Sequence, residues 1–115
     1  MSTRPILFLL KPGFHNEGKG PYFCPDSALV EGFLAYHASA LPAGALDIQR
    51  IDFKKPRAPV VALLGEAAQS CPVLVLDGDD APESAKRASS GKRYIDHPIE
   101  IARYLAGRYN LSQPH

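Results

Sequence analysis

Residues Ile6, Leu7, Phe8, Leu9 and Leu10 form an unbroken apolar run between Pro5 and Pro12-Gly13. A run that short, with no polar alternation, predicts a strand buried on both faces and placed at the centre of a sheet. Residues 11–23 carry Pro12, Gly13, Gly18, Gly20 and Pro21 and read as a loop without a regular element. The loop is longer than a strand-to-helix connection requires, and its glycines with Phe14, Tyr22 and Phe23 suit a lid over Cys24. From Pro25 onward Leu29, Val30, Phe33, Leu34 and Tyr36 recur at three- and four-residue spacings, which predicts a helix over 25–40 with proline in its first position. In 46–53, Leu46 and Ile48 lie in one phase and Ile51 and Phe53 in the other, so this is an edge strand whose pattern slips near Gln49-Arg50.

Pro56 and Pro59 introduce Val60, Leu63 and Leu64, a short helix that Gly65 ends. Pro72-Val73-Leu74-Val75-Leu76 is β-rich and wholly apolar, a third strand over 72–76 closed by the turn dipeptide Asp77-Gly78. The polar, small-residue-rich stretch 77–92 is longer than structureless connections usually are and reads as mobile or functional, and 93–95 adds a short strand. Pro98, Ile101, Ala102, Leu105 and Tyr109 then line one face of a final helix that Asn110 stops. The order β-α-β-α-β-β-α predicts an α/β fold with a four-stranded mixed sheet flanked by helices. Both strand-helix-strand steps are expected to be parallel with right-handed crossovers, and the last two strands to pair antiparallel across a long tip.

Length, composition and charge change this picture in four places. A chain of 115 residues fits one domain over 1–115, and 45% hydrophobic with 22% charged residues argues against disorder. A formal charge of +1 supplies no field to hold a nucleic-acid backbone or an anionic membrane, so neither is an expected partner. The purest apolar run falls short of the roughly 20 residues that span a bilayer and the roughly 7 to 15 of a signal core, which makes a cytoplasmic location the default expectation. Two cysteines are too few for a disulfide scaffold, so chemistry points to them as thiols.

Cys24-Pro25-Asp26-Ser27 opens the first helix. With Cys24 as N-cap and Pro25 as the first helical residue, the sulfur lies over unpaired backbone N–H groups, an environment that lowers a thiol pKa and favours the nucleophilic thiolate. Asp26 opposes this by charge, and Ser27 can donate its hydroxyl to the sulfur without closing a disulfide. The bland alternative is a small apolar residue buried under the loop. Lys54, Lys55, Arg57, Lys92 and Arg93 read as solvated charge, with an anion site at one of them as the lesser alternative, and His15 and His37 as surface or half-buried residues. Tyr22 and Phe23 are expected to pack on the helix or to cover a substrate.

The element order, Cys-x-x-Ser at the start of the first helix, and the proline opening the third strand in Ser70-Cys71-Pro72-Val73-Leu74-Val75 together resemble the thioredoxin superfamily. Pro72 to Leu76, then Tyr94-Ile95-Asp96 and Ile101 to Ala106, are similar to glutaredoxins and to the N-terminal domain of glutathione transferases. The stretches Leu7 to Phe14, Tyr22 to Ser27 and Ala62 to Glu66 look like a bacterial family of thioredoxin-like domains with no assigned function. The resemblance implies a cis bond before Pro72, a Cys71 that faces Cys24 and offers its backbone to an extended thiol substrate, and catalytic roles for Cys24, Ser27 and Cys71. Tyr22, Pro72 and Asp96 would then contact substrate. In transferases a Glu-Ser pair before the last helix holds glutathione. Here His97 and Pro98 stand in those places, so the hydroxyl is missing, although Asp96 or His97 can still cap the helix. The length leaves no room for the transferases' helical second domain.

The resemblance therefore implies monothiol redox or thiol-transfer chemistry at Cys24, acting on a small thiol or a protein disulfide, with glutathione as a possible co-substrate and no resident cofactor. Cys71 could replace the missing resolving thiol by forming a Cys24–Cys71 disulfide, or could simply fill an apolar slot. A metal on Cys24, Cys71 and His15 meets ligand chemistry but has no spacing signature. The rival reading is a non-catalytic thioredoxin-like binding module.

Overall fold

The apolar run at 6–10 does form the central strand, and the whole architecture follows from covering both of its faces. A computed structural model describes residues 4–76 and 81–115. Strand β1 (Ile6–Leu10) lies between β4 (Asp47–Ile51), parallel to it, and β5 (Val73–Leu76), antiparallel to it. Beyond β5 come β7 (Arg93–Ile95) and β6 (Lys86–Arg87), giving a five-stranded mixed sheet in the order β4-β1-β5-β7-β6. Period-two alternation divides the side chains. Leu7, Leu9, Leu74 and Leu76 pack with helix α1 (Pro25–Tyr36) and helix α3 (Pro98–Tyr109), while Phe8, Val73 and Val75 pack with Val60 and Leu64 of helix α2 (Ala58–Leu64). The result is three layers, two helices on one face and one on the other.

The chain departs from the expected pattern at several points. Residues 11–23 are not irregular: β2 (Phe14–Asn16) and β3 (Lys19–Tyr22) pair as a separate antiparallel hairpin. Its turn places Glu17 and Gly18 at φ +54 and +75, and a Cβ on Gly20 would lie 2.8 Å from the Phe14 carbonyl oxygen. These are backbone demands that a search for hydrophobic period does not register. The polar stretch after β5 supplies β6, a fifth strand on the outer edge of β7, in the register Lys86 to Tyr94. The Asp77-Gly78 turn lies outside the described residues.

The second strand-helix-strand step is not parallel. Helix α2 is only two turns long, about 10 Å, and the return segment 65–72 brings the chain back to the end it left, so β5 runs opposite to β1. The slip expected at Gln49-Arg50 is absent, because β4 keeps an unbroken register with β1 and leaves Ile48 partly exposed at the sheet edge. Helix α1 ends at Tyr36 rather than at residue 40, where the His37 backbone N–H and ring Nδ1 both meet the Phe33 carbonyl. Gly65 and Asn110 end α2 and α3 as expected, but only Asn110 is left-handed (φ 56, ψ 49), Gly65 having an extended ψ of 169 at φ 88. The Cys71–Pro72 bond is cis, as the resemblance implies, and so are Gly20–Pro21 and Lys55–Pro56.

Because Leu7 is fully buried in the larger core cluster, Leu7→Ala should cost about 2–5 kcal/mol, read as a lowered urea midpoint at unchanged slope.

Candidate functional site

The topology gathers the chemistry at one end of the sheet. β1 and β4 finish there with Leu10 and Ile51 as partners, β5 begins there, and the Leu74–Ile95 pairing carries β7 to the same end. The segment leading into α1 therefore arrives beside the segment leading into β5. Cys24 is the N-cap of α1, with φ −84 and ψ 115, and Pro25 follows in the first turn. Its sulfur takes the place an oxygen usually holds, accepting the Ser27 backbone N–H at 3.4 Å. The thiol of Cys24 in turn points at the Cys71 carbonyl oxygen, 3.8 Å away.

Ser27 acts differently from the expectation. Its hydroxyl does not serve the sulfur; it is 2% exposed and its Oγ accepts the N–H of Leu10 at 3.2 Å. That bond ties the first turn of α1 to the last residue of the central strand. Ser27 thus fixes where Cys24 stands, through its side chain on one partner and its amide on the other.

Cys71, half-buried, packs against the smaller core cluster, which contains Val60 and Leu64 of α2. Burial pushes its thiol up to about 11, against the pull of the Arg57 guanidinium, and the neighbouring Cys24 adds to the rise. Arg57 is the main correction to the sequence reading: it is not solvated charge but 8% exposed. Its Nε and one terminal nitrogen donate to the Phe53 carbonyl at 2.9 and 2.8 Å, and the other terminal nitrogen donates to the Gln69 carbonyl at 2.7 Å. Its backbone N–H donates to Gln69 Oε1 at 2.7 Å. The guanidinium also lies 5.4 Å from the centroid of the Phe53 ring, which stacks on Phe14 at 4.3 Å. Arg57 therefore fastens the end of β4, the approach to Cys71 and the hairpin to one another. A lone arginine in a Pro-Arg-Ala-Pro stretch before an apolar helix is the one signal of this in the sequence, and charge counting passes over it. Arg93 is likewise engaged, donating to the Pro82, Glu83 and Ala85 carbonyls and so ordering the segment before β6.

The remaining predicted residues are less closely joined to the sulfur. Pro72 is fully buried, so it shapes the site rather than lining it. Tyr22 and Phe23 are 44% and 61% exposed just before Cys24, and the Tyr22 ring lies 6.2 Å from that of Phe14. Asp96 does not cap α3 but pairs with Lys86 at 3.1 Å, and His97 is the N-cap without a side-chain bond. Among the described residues no group of three or more His, Cys, Asp or Glu side chains is arranged to hold a metal, and no helix is long and apolar enough to cross a membrane.

The titration of Cys71 has a consequence for stability. Its folded pKa lies above that of the unfolded chain, so between about pH 9 and 11 the unfolded chain has fewer bound protons and the residue's contribution falls as pH rises. The stability of wild type relative to Cys71→Ala should therefore decline from pH 9 to pH 10.5 in urea titrations and hold level below pH 8.

No curated protein and no solved structure matches the chain. The model of a family described as protein of unknown function, DUF3088, matches residues 4–113. The match takes in the central strand, both cysteines, Arg57 and all three helices, and the chain belongs to the DUF3088 family.

Proposed function

We propose that this is a thioredoxin-like protein that carries out thiol–disulfide exchange or thiol transfer through Cys24. The observation that carries the reading is a cysteine sulfur at a helix N-cap, 3.8 Å from the backbone carbonyl of a second cysteine that opens the neighbouring strand. A central strand flanked by one parallel and one antiparallel neighbour, with helices on both faces, supports the superfamily assignment.

Thiol–disulfide exchange requires a thiolate with an open approach and a partner strand to align the substrate. The Cys24 thiolate attacks one sulfur of a disulfide, a mixed disulfide forms, and the other half leaves as a thiolate that takes up a proton. An external thiol such as glutathione, or Cys71, then attacks the mixed disulfide. The Cys71 carbonyl is presented toward Cys24 and suits alignment of an extended substrate. His97 and Pro98 offer no hydroxyl where transferases hold glutathione, so the chemistry calls for a small thiol as reactant rather than a dedicated glutathione pocket. A cytoplasmic setting, rich in such thiols, fits the chemistry. The exposed Tyr22 and Phe23 favour the alternative, a non-catalytic module that docks a partner beside Cys24.

The test is reaction with a mixed disulfide of glutathione, followed by intact mass. Wild type is expected to react at Cys24, and Cys24→Ser to react at least about a hundredfold more slowly at pH 7.5, since its remaining thiol is almost wholly protonated. Equal rates in the two proteins would move the assignment to the binding module.

A further inference from the structure

Arg57 is a cation more than nine-tenths buried, and among the described residues no carboxylate pairs with it. Buried charge is ordinarily matched by opposite charge. Its side-chain bonds to the Phe53 and Gln69 carbonyl oxygens use three of the five N–H groups of a guanidinium. The titratable group its charge acts on is the thiol of Cys71, two residues past Gln69, whose carbonyl it grips. Cys24 also acts on that thiol, and its sulfur approaches the Cys71 carbonyl at 3.8 Å. Two thiols thus share a site with a cation that no carboxylate pairs among the described residues, and a negative charge appears beside it when Cys71 ionises.

Resting on the thiol-exchange reading above, we propose that Cys71 is the resolving thiol for Cys24, and that Arg57 is the positioning residue that holds the Cys71 segment and stabilises its thiolate at the moment of attack. The substrate class is a low-molecular-weight disulfide. The Cys24 thiolate attacks R–S–S–R, the Cys24–S–S–R bond forms, and the first RS⁻ departs and is protonated. Cys71 releases its proton to water, and its thiolate attacks Cys24 Sγ. The bond to R breaks and the second RS⁻ leaves and is protonated. Two electrons pass from the two cysteines to the substrate, which becomes two thiols, while the protein becomes the Cys24–Cys71 disulfide. Cys71, half-buried, keeps its proton during the first step, and Arg57 makes its thiolate available for the second. The charged and titratable groups that bear on Cys71 are Arg57, which favours the thiolate, and Cys24, which opposes it while ionised and ceases to do so once it is in the mixed disulfide.

The experiment is a single turnover of the reduced full chain with excess 5,5′-dithiobis(2-nitrobenzoate), an aromatic disulfide that releases a coloured thiolate, read by absorbance and by intact mass. Wild type should release two equivalents in two phases and end as an internal disulfide with no adduct. Cys71→Ser should release one equivalent and keep the adduct on Cys24. Arg57→Gln, checked for folding by circular dichroism, should keep the first phase, slow the second at least about tenfold, and move the pH profile of that second phase upward, a displacement that looser packing alone would not produce. If the glutamine variant is unfolded, Arg57→Lys takes its place, and a second phase slowed about threefold or more is expected because lysine cannot reproduce the held fork. A single equivalent and a retained adduct in wild type would overturn the resolving role of Cys71 while leaving Cys24 chemistry intact. A second phase unchanged in rate and pH profile in the Arg57 variant would overturn the role of Arg57. A first phase that persists in Cys24→Ser would instead overturn the thiol-exchange reading itself.

Discussion

A strand with no polar side chain must be covered on both sides, and β1 is that strand. Leu7 and Leu9 require one apolar layer and Phe8 another, so α1 and α3 occupy one face and α2 the opposite one. Once the chain has supplied helices to both faces, the segments that leave β1, β4 and β7 emerge at the same end of the sheet. The two cysteines lie there because the connections do, not because any local motif demands it.

The two polar side chains buried in the described residues, Ser27 and Arg57, both belong to that end. Each has its hydrogen bonds made, Ser27 to the last amide of β1 and Arg57 to the carbonyls of Phe53 and Gln69. A buried polar group without partners is costly, so such bonds determine where segments sit as well as how tightly. Ser27 locates Cys24 relative to the sheet, and Arg57 locates the approach to Cys71 relative to β4 and the hairpin. Neither touches the sulfur of Cys24 with its side chain, yet together they fix the two segments that carry the cysteines.

The hairpin of β2 and β3 joins this arrangement through aromatic contact. Phe14 stacks on Phe53, and Phe53 carries the Arg57 guanidinium on its ring, so an otherwise exposed excursion is held against the cysteine-bearing end. Tyr22 and Phe23 remain open to solvent on the path from the hairpin into α1. The surface beside Cys24 therefore combines exposed rings with a cysteine at a helix end.

The pattern of apolar residues determined the central strand, the positions of α1, α2 and α3, and the strand at 73–76, because those elements bury apolar runs or faces visible in one dimension, and it also marked the short strand at 93–95. Local backbone chemistry likewise marked Cys24 as the N-cap and Asn110 as a stop. The hairpin, β6 and the direction of β5 were decided by tertiary structure: short polar strands carry no period, and strand direction depends on where a return segment ends rather than on what it contains. The same holds for Ser27, Arg57 and Asp96, whose partners lie far along the chain or on another element. Whether a charged side chain is solvated or buried depends on the carbonyls and rings that surround it in space, and only the folded chain brings Phe53, Gln69 and Cys71 around Arg57.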